Sequence, residues 1–269
     1  MFYSLLYQPL VNGLIFFYRL FGNFGWAIIS LTVAIRLLLI PLSLPSLKAA
    51  QKMKELAPEL AALKKKYGTD KKKFTQAQLE LYQKHKINPA AGCLPQIIQL
   101  VVLIALYQAF IKVLQADSNV IEKLNQVLYP ALRLPTETMI NTRFWYLDLS
   151  KPDVFRPPGV NFPLPGLFLI LAALTQFLSS KMMQPAISLS QAQAEKTPEQ
   201  KDDLATSMQQ QMLYLFPLMT VLIGFSFPSG LVLYWFVFSV IAAIQQYFVS
   251  GWGGLESWLK KSSLKSLKK

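Results

Sequence analysis

The side chain that most needs a chemical explanation is an arginine. Arg36 stands near the middle of Trp26 to Leu44, a run that is otherwise apolar. A charge at mid-membrane costs roughly 2.5–3.5 kcal/mol on an insertion scale, so such a residue normally has a partner. No Asp or Glu stands in any of the long apolar runs; every one lies in the polar stretches between or after them. Arg36 is therefore left to water, backbone carbonyls, lipid phosphate or a group outside this chain. The plainer alternative is a structural arginine that snorkels or is held by carbonyls, although a central position makes snorkelling hard. Neutral polar residues could line a wet cavity with it: Thr32, Gln96, Gln99, Gln176, Ser179, Ser239, Gln245 and Gln246. For any one of them, hydrogen bonding between helices at modest gain is an equal alternative. As a set around an unpaired arginine, they point to a wet, positive groove. Such a groove attracts an acidic or polar segment and shortens the apolar path it must cross.

The remaining residues exclude more than they suggest. There is one His, His85, in a lysine-rich stretch, and one Cys, Cys93, beside Gly92 at the start of an apolar run. A single cysteine forms no disulfide framework and no cysteine-rich metal site. No nucleophile triad, metal cluster or phosphate loop is present, so neither an enzyme nor a cofactor is expected. A proton-coupled transporter usually carries an Asp, Glu or His relay inside the membrane, and a cation channel an acidic ring or a carbonyl filter. Neither pattern is present.

The elements that hold these residues follow from blockwise hydropathy. The chain is 53% hydrophobic and 15% charged, with the apolar residues gathered into long runs. Runs of about 18 or more apolar residues read as spans. The expected fold is an all-α integral membrane protein with five transmembrane helices, at about 26–44, 89–114, 163–183, 212–227 and 231–249. Residues 1–22, with Gln8, Asn12 and Arg19 among apolar neighbours, read as an amphipathic helix lying on the membrane surface, with a sixth span as the plainer alternative. Residues 46–88 read as a helical hairpin broken at Gly68-Thr69-Asp70, with Leu56, Leu60, Leu63 and Tyr67 facing Phe74, Leu81 and Tyr82. Pro58 is expected to bend its first arm. A polar loop fills 184–211, the turn Pro228-Ser229-Gly230 joins the last two spans, and 251–269 is a basic tail.

The net charge of +13 sets the orientation. Eleven lysines lie between Lys48 and Lys86, and Lys260, Lys261, Lys265, Lys268 and Lys269 crowd the tail. The positive-inside rule places both in the cytoplasm. Five spans then put the N-terminus outside and the C-terminus inside. The connection from Asp117 to Asn161, with as many acids as bases, falls outside. The hairpin lysines suit anionic lipid or the phosphates of RNA, and composition alone does not choose between them. No DNA-reading motif is present. With neither a cleavable signal nor a transit peptide in the first residues, a bacterial plasma membrane is expected.

Four stretches together carry a resemblance. Ala34 to Leu42 (AIRLLLIPL), Asn88 to Gln99 (NPAAGCLPQIIQ), Leu147 to Asp153 (LDLSKPD) and Phe227 to Trp235 (FPSGLVLYW) resemble, in order and spacing, the core of the YidC/Oxa1/Alb3 insertases. The resemblance covers nearly the whole chain. It implies a five-helix core with a hydrophilic groove open to cytoplasm and lipid and closed on the outside. Arg36 matches the groove arginine. Tyr234 and Trp235 match aromatics of the last span, which with the third span forms the slide for an incoming helix. Gln99 and Gln176 fall where groove-lining residues are expected, and the hairpin matches a mobile one that receives substrate. The extra N-terminal span and large periplasmic domain of many Gram-negative members and the lipoprotein cysteine of many Gram-positive ones have no counterpart, so a minimal bacterial version is expected. The short tail weakens the expectation of stable ribosome docking.

The implied function is a membrane protein insertase and chaperone. Its partners would be newly made membrane proteins and lipids, with the ribosome and the Sec translocon as further candidates. A small-anion or lipid transporter using Arg36 is the alternative, although no inverted repeat or pair of broken helices supports it. A non-catalytic assembly factor is a third. The charge pattern predicts that, in a Cys93→Ser background, Thr138→Cys reacts with an impermeant maleimide from outside intact cells. Lys65→Cys should react only after permeabilisation; the reverse pattern would invert the topology.

Overall fold

A computed structural model describes residues 3–67, 70–87, 94–114, 120–159, 161–183, 204–256 and 258. A π-helical turn, Tyr3–Tyr7, leads into α1 (Gln8–Phe21). There follow α2 (Phe24–Glu55), α3 (Ala57–Tyr67), α4 (Lys71–Lys84), α5 (Leu94–Leu114), α6 (Val120–Asn125), α7 (Leu167–Met183), α8 (Leu204–Gly224) and α9 (Ser229–Ser250). The connection between α6 and α7 adds what an all-α reading omits, two small antiparallel ladders. β1 (Arg143–Phe144) pairs with β2 (Leu147–Asp148), and β3 (Val154–Phe155) with β4 (Leu164–Pro165).

Among the described residues, two helices are long and apolar enough to cross a membrane, over Phe24–Ala49 and Ser229–Ser250. Three shorter apolar stretches, Ile98–Ile111, Leu167–Met183 and Leu213–Gly224, fall in the order of the other expected spans. Two boundaries differ from expectation. The first apolar helix runs on past Leu44 to Glu55 despite Pro45, because the Leu, Lys, Ala, Gln and Met that follow are strong helix formers whether apolar or polar. The fourth begins at Leu204, within the expected polar loop, for the same reason. The rest of that loop, 184–203, and the tail beyond 258 lie outside the described residues.

The chain divides into two compact units. The first comprises Met1–Leu39, Gln96–Gln176 and Pro217–Ile241. Its core joins Val11, Leu14 and Ile15 of α1 to Phe24 and Ile28 of α2, Leu106 and Phe110 of α5, and Leu231 of α9. Ala27, Ala105 and Ala109 are fully buried there, and small side chains let helices approach closely. A short turn joins α1 to α2. Gly22 ends α1 in the left-handed conformation (φ 64°) that glycine adopts freely. Asn23 then caps α2, its Oδ1 accepting from the Gly25 and Trp26 N–H groups at 3.0 and 3.3 Å.

Two polar residues of α1 meet protein groups. Asn12 is buried, donating to the carbonyls of Gln8 and Val127 and accepting from the Tyr129 N–H at 2.7 Å. Arg19 donates to the carbonyls of Ala131 and Arg133, each at 2.7 Å. Both side chains tie α1 to the connection; Arg19 is itself exposed, beside the apolar Phe16, Leu20 and Phe21. Composition showed the polar residues but not which way they turn.

The segment Leu147–Asp153 holds the starts of two helices. The Ser229 N–H donates to the Lys151 carbonyl at 2.7 Å, the Gly230 N–H to Leu149 at 3.1 Å, and the Ser229 hydroxyl to Asp148 at 2.9 Å. Asp153 is buried at the N-terminus of α7, where Oδ2 accepts from the Leu169 N–H at 2.8 Å and Oδ1 from the Tyr146 hydroxyl at 3.1 Å. A carboxylate suits the positive end of a helix dipole. A Cβ at Gly166 would lie 1.8 Å from Asp153 Oδ1, so only glycine fits there.

The second unit comprises Ile40–Pro95, Phe177–Phe216 and Ala242–Lys269. In it, α3 and α4 form the expected hairpin around Leu56, Leu81, Tyr82 and Ile87, with Leu60 and Leu63 packed against them. Asp70 caps α4 by accepting from the Lys73 N–H at 3.1 Å; Gly68 and Thr69 of the expected break lie outside the described residues. The first arm is interrupted at Leu56, and Pro58 sits in the opening turn of α3, where its missing N–H costs no helical bond.

The Asp148 carboxyl lies below its ordinary value of 3.8: burial raises it, but hydrogen bonds from the Ser150 hydroxyl, Lys151 and the Ser150 N–H outweigh that rise. A group lowered on folding contributes stability above its unfolded pKa and loses it as pH falls through the native value. Unfolding temperature in detergent should therefore drop as pH is lowered below about 5, and drop less steeply in Asp148→Asn. Equal slopes would show that Asp148 carries none of this dependence.

Candidate functional site

Arg36 sits one turn beyond Thr32 on α2 and finds its neighbour on α9, within the first unit. Its guanidinium carbon lies 3.6 Å from the centroid of the Phe238 ring. Nη2 donates to the Phe238 backbone carbonyl at a long 3.4 Å. Nε is buried with no hydrogen-bond partner. Among the described residues, no carboxylate pairs with this cation. A ring face attracts a cation by about 0.5–2 kcal/mol but removes none of its charge. The arginine therefore keeps an unmet electrostatic demand in an apolar setting.

The Phe238 ring is held in turn. Tyr234 precedes it by one helical turn on α9, with ring centroids 5.9 Å apart, the spacing at which side chains of a helix meet. Tyr234 is 1% exposed, and its hydroxyl accepts from Nε2 of Gln99 on α5 at 2.7 Å. A continuous line of contacts thus runs from Gln99 through Tyr234 and Phe238 to Arg36, linking α5, α9 and α2.

The other sequence-derived residues are placed differently. Thr32 is buried and donates to the Ile28 carbonyl at 2.6 Å, so its hydroxyl is satisfied within its own helix. Gln176 of α7 accepts from the Thr220 hydroxyl of α8, joining those two helices. Trp235 is half-buried against the apolar core, and Ser239 is buried. In the second unit, Ser179 is half-buried, and Gln245 donates to the Ser43 hydroxyl at 2.9 Å. Gln246, also in that unit, donates to Ser250, while its Oε1 is buried without a partner. The Gln96 side chain lies outside the described residues. Sequence reasoning missed Phe238, Thr220 and Asp153. A phenylalanine in an apolar span has no polar signature, although the spacing from Tyr234 was there to be read.

Arg36, Phe238, Tyr234 and Gln99 can hold a positive charge within an apolar helix assembly and offer it to an anion. The group contains no nucleophile, and among the described residues there is no cluster of metal-ligating side chains.

The family profile described as "60Kd inner membrane protein" matches residues 16–253. The chain is 33% identical over 253 residues to the membrane protein insertase YidC of Pelobacter propionicus, covering 92% of this chain and 39% of that relative. It is also 33% identical over 229 residues to the YidC of Fusobacterium nucleatum, covering 85% of this chain and 86% of that one. A crystal structure described as an active YidC insertase with its first transmembrane domain resolved superposes with a TM-score of 0.52 at 27% identity. That match takes in 90% of this chain and 46% of the other. The chain thus spans about two fifths of the length of several relatives it matches and most of the length of another.

Tyr234→Phe should strand the Gln99 amide, lowering unfolding stability in detergent by about 0.5–1.5 kcal/mol. Removing both partners, Gln99→Leu with Tyr234→Phe, should recover part of that loss, because two apolar groups leave no donor unsatisfied. Additive losses would show that the two side chains act separately.

Proposed function

The chain belongs to the 60Kd inner membrane protein family, and from that premise we propose that it inserts other proteins into the membrane in which it sits. The observation that carries this reading is Arg36. It is a cation on an apolar helix, facing an aromatic ring, with no carboxylate beside it among the described residues. A substrate with a short polar or acidic end would be drawn towards that charge from the cytoplasm. Its apolar segment would then move along the third and fifth apolar helices into lipid, and the polar end would be released outside. Burial of the substrate's apolar segment in lipid supplies the driving force, with the membrane potential assisting. No bond is made or broken, so the chain acts as a chaperone of insertion and not as an enzyme.

The same reading assigns the finer features. Five helices cross the membrane, along the five apolar stretches. The 17 residues of α7 are at the short end of what a span needs, and a short span thins the bilayer locally, which lowers the barrier to a polar segment. The lysine hairpin and the basic tail lie in the cytoplasm, and the α1 helix and the connection lie outside. Thr32, Gln99 and Gln176 are assigned to a polar groove with Arg36, and Tyr234 and Trp235 to the helix along which substrate leaves. Newly made membrane proteins and lipids are the partners, with the ribosome and the Sec translocon upstream.

The test is insertion of a small single-span protein into liposomes containing this chain. Wild type and Arg36→Lys should insert it, and Arg36→Ala should lose most of the yield. Equal yields from Arg36→Ala would move the work from the charge to groove shape and bilayer thinning. No insertion by wild type, with movement of a small anion instead, would replace this reading with an anion transporter.

A further inference from the structure

An arginine in an apolar setting usually finds a carboxylate, because burial of an unpaired charge is costly. A carboxylate here would neutralise the groove and compete with any incoming acid. The residue that Arg36 meets instead is Phe238, with the guanidinium carbon 3.6 Å from the ring centroid. Two further details separate this contact from incidental packing. The backbone carbonyl of the same residue takes the Nη2 hydrogen at 3.4 Å, so one residue meets both the face and one edge of the guanidinium. The ring is also backed by Tyr234, itself anchored to Gln99 at 2.7 Å, so one side of the Phe238 ring meets a fixed neighbour.

Resting on the insertase reading above, we infer that Phe238 is a positioning residue that holds the Arg36 guanidinium by its ring face while leaving its charge free for the substrate. It thereby sets the preference for polypeptides whose translocated end carries carboxylates. A guanidinium lying on a ring keeps its N–H edge available, and that edge is the part that forms a two-pronged bond with a carboxylate. The Nε N–H is buried and Nη2 lies against the Phe238 carbonyl, so it is the rest of the half-buried guanidinium that is left to meet an anion. An aliphatic residue at 238 would leave the guanidinium free to turn towards backbone carbonyls or the lipid interface, and the charge would be retained but not aimed.

The experiment compares two single-span substrates that differ only in the translocated end, one with two Asp residues and one with two Asn. Both are inserted into liposomes by wild type, Phe238→Leu, Phe238→Tyr, and protein carrying mono-, di- or trifluorinated phenylalanine at position 238. Fluorination withdraws charge from the ring face and changes its shape little, so these variants fold as wild type even where Phe238→Leu does not. The expected result is a preference for the Asp substrate that falls in step with fluorination, by about fivefold at trifluorophenylalanine, and is retained in Phe238→Tyr. A preference that ignores fluorination would overturn the proposal and leave the insertase reading standing. Failure of wild type to insert either substrate would reject the insertase reading itself, and with it the role of Phe238. A preference lost equally in Phe238→Tyr would reduce Phe238 to a packing residue.

Discussion

One unpaired positive charge governs this structure. Arg36 sits on an apolar helix and has a ring face, one long carbonyl bond and a bare Nε for company. The attraction of a ring for a cation is far smaller than the cost of taking that cation out of water. The site is therefore stable only because the surrounding helices are fixed by other means, and among the described residues no carboxylate cancels the charge. A well-paired arginine would be easier to fold around.

Those other means lie largely in the α6–α7 connection. Asp153 caps α7, Asp148 organises the turn beside it, and the backbone of Lys151 and Leu149 holds the first residues of α9. Asn12 and Arg19 bind α1 to the earlier part of the same connection. Backbone groups at helix ends are the ones left without intrahelical partners, and inside or next to lipid there is little water to satisfy them. A polar segment that supplies those bonds sets where α9 begins. The start of α9 in turn sets the height at which Tyr234 and Phe238 face α5 and α2.

The order of the main helices, the hairpin with its cap at Asp70, and the candidacy of Arg36 were all legible in the sequence, since apolar runs, lysine clusters and a lone buried charge are properties of composition. Helix ends were less legible. The first apolar helix runs to Glu55 because helix propensity does not stop where hydrophobicity does. The polar residues of α1 were visible, but their direction was not: Asn12 and Arg19 turn towards partners more than a hundred residues away in sequence. The two small ladders, Arg143–Phe144 with Leu147–Asp148 and Val154–Phe155 with Leu164–Pro165, are too short to leave a periodic signal.

The candidate site divides along the same line. Residue type alone determined that Arg36 carries a charge no carboxylate in the apolar runs can neutralise, and that four stretches resemble an insertase core. Tertiary structure decided that Phe238 is the surface on which the guanidinium rests, that Tyr234 is buried and bonded to Gln99, and that Thr32 turns its hydroxyl back to its own helix. A charge belongs to one residue and can be read from one letter. A cation–π contact or an interhelical hydrogen bond belongs to a pair, and the pairing exists only once the helices are packed at a particular height and rotation.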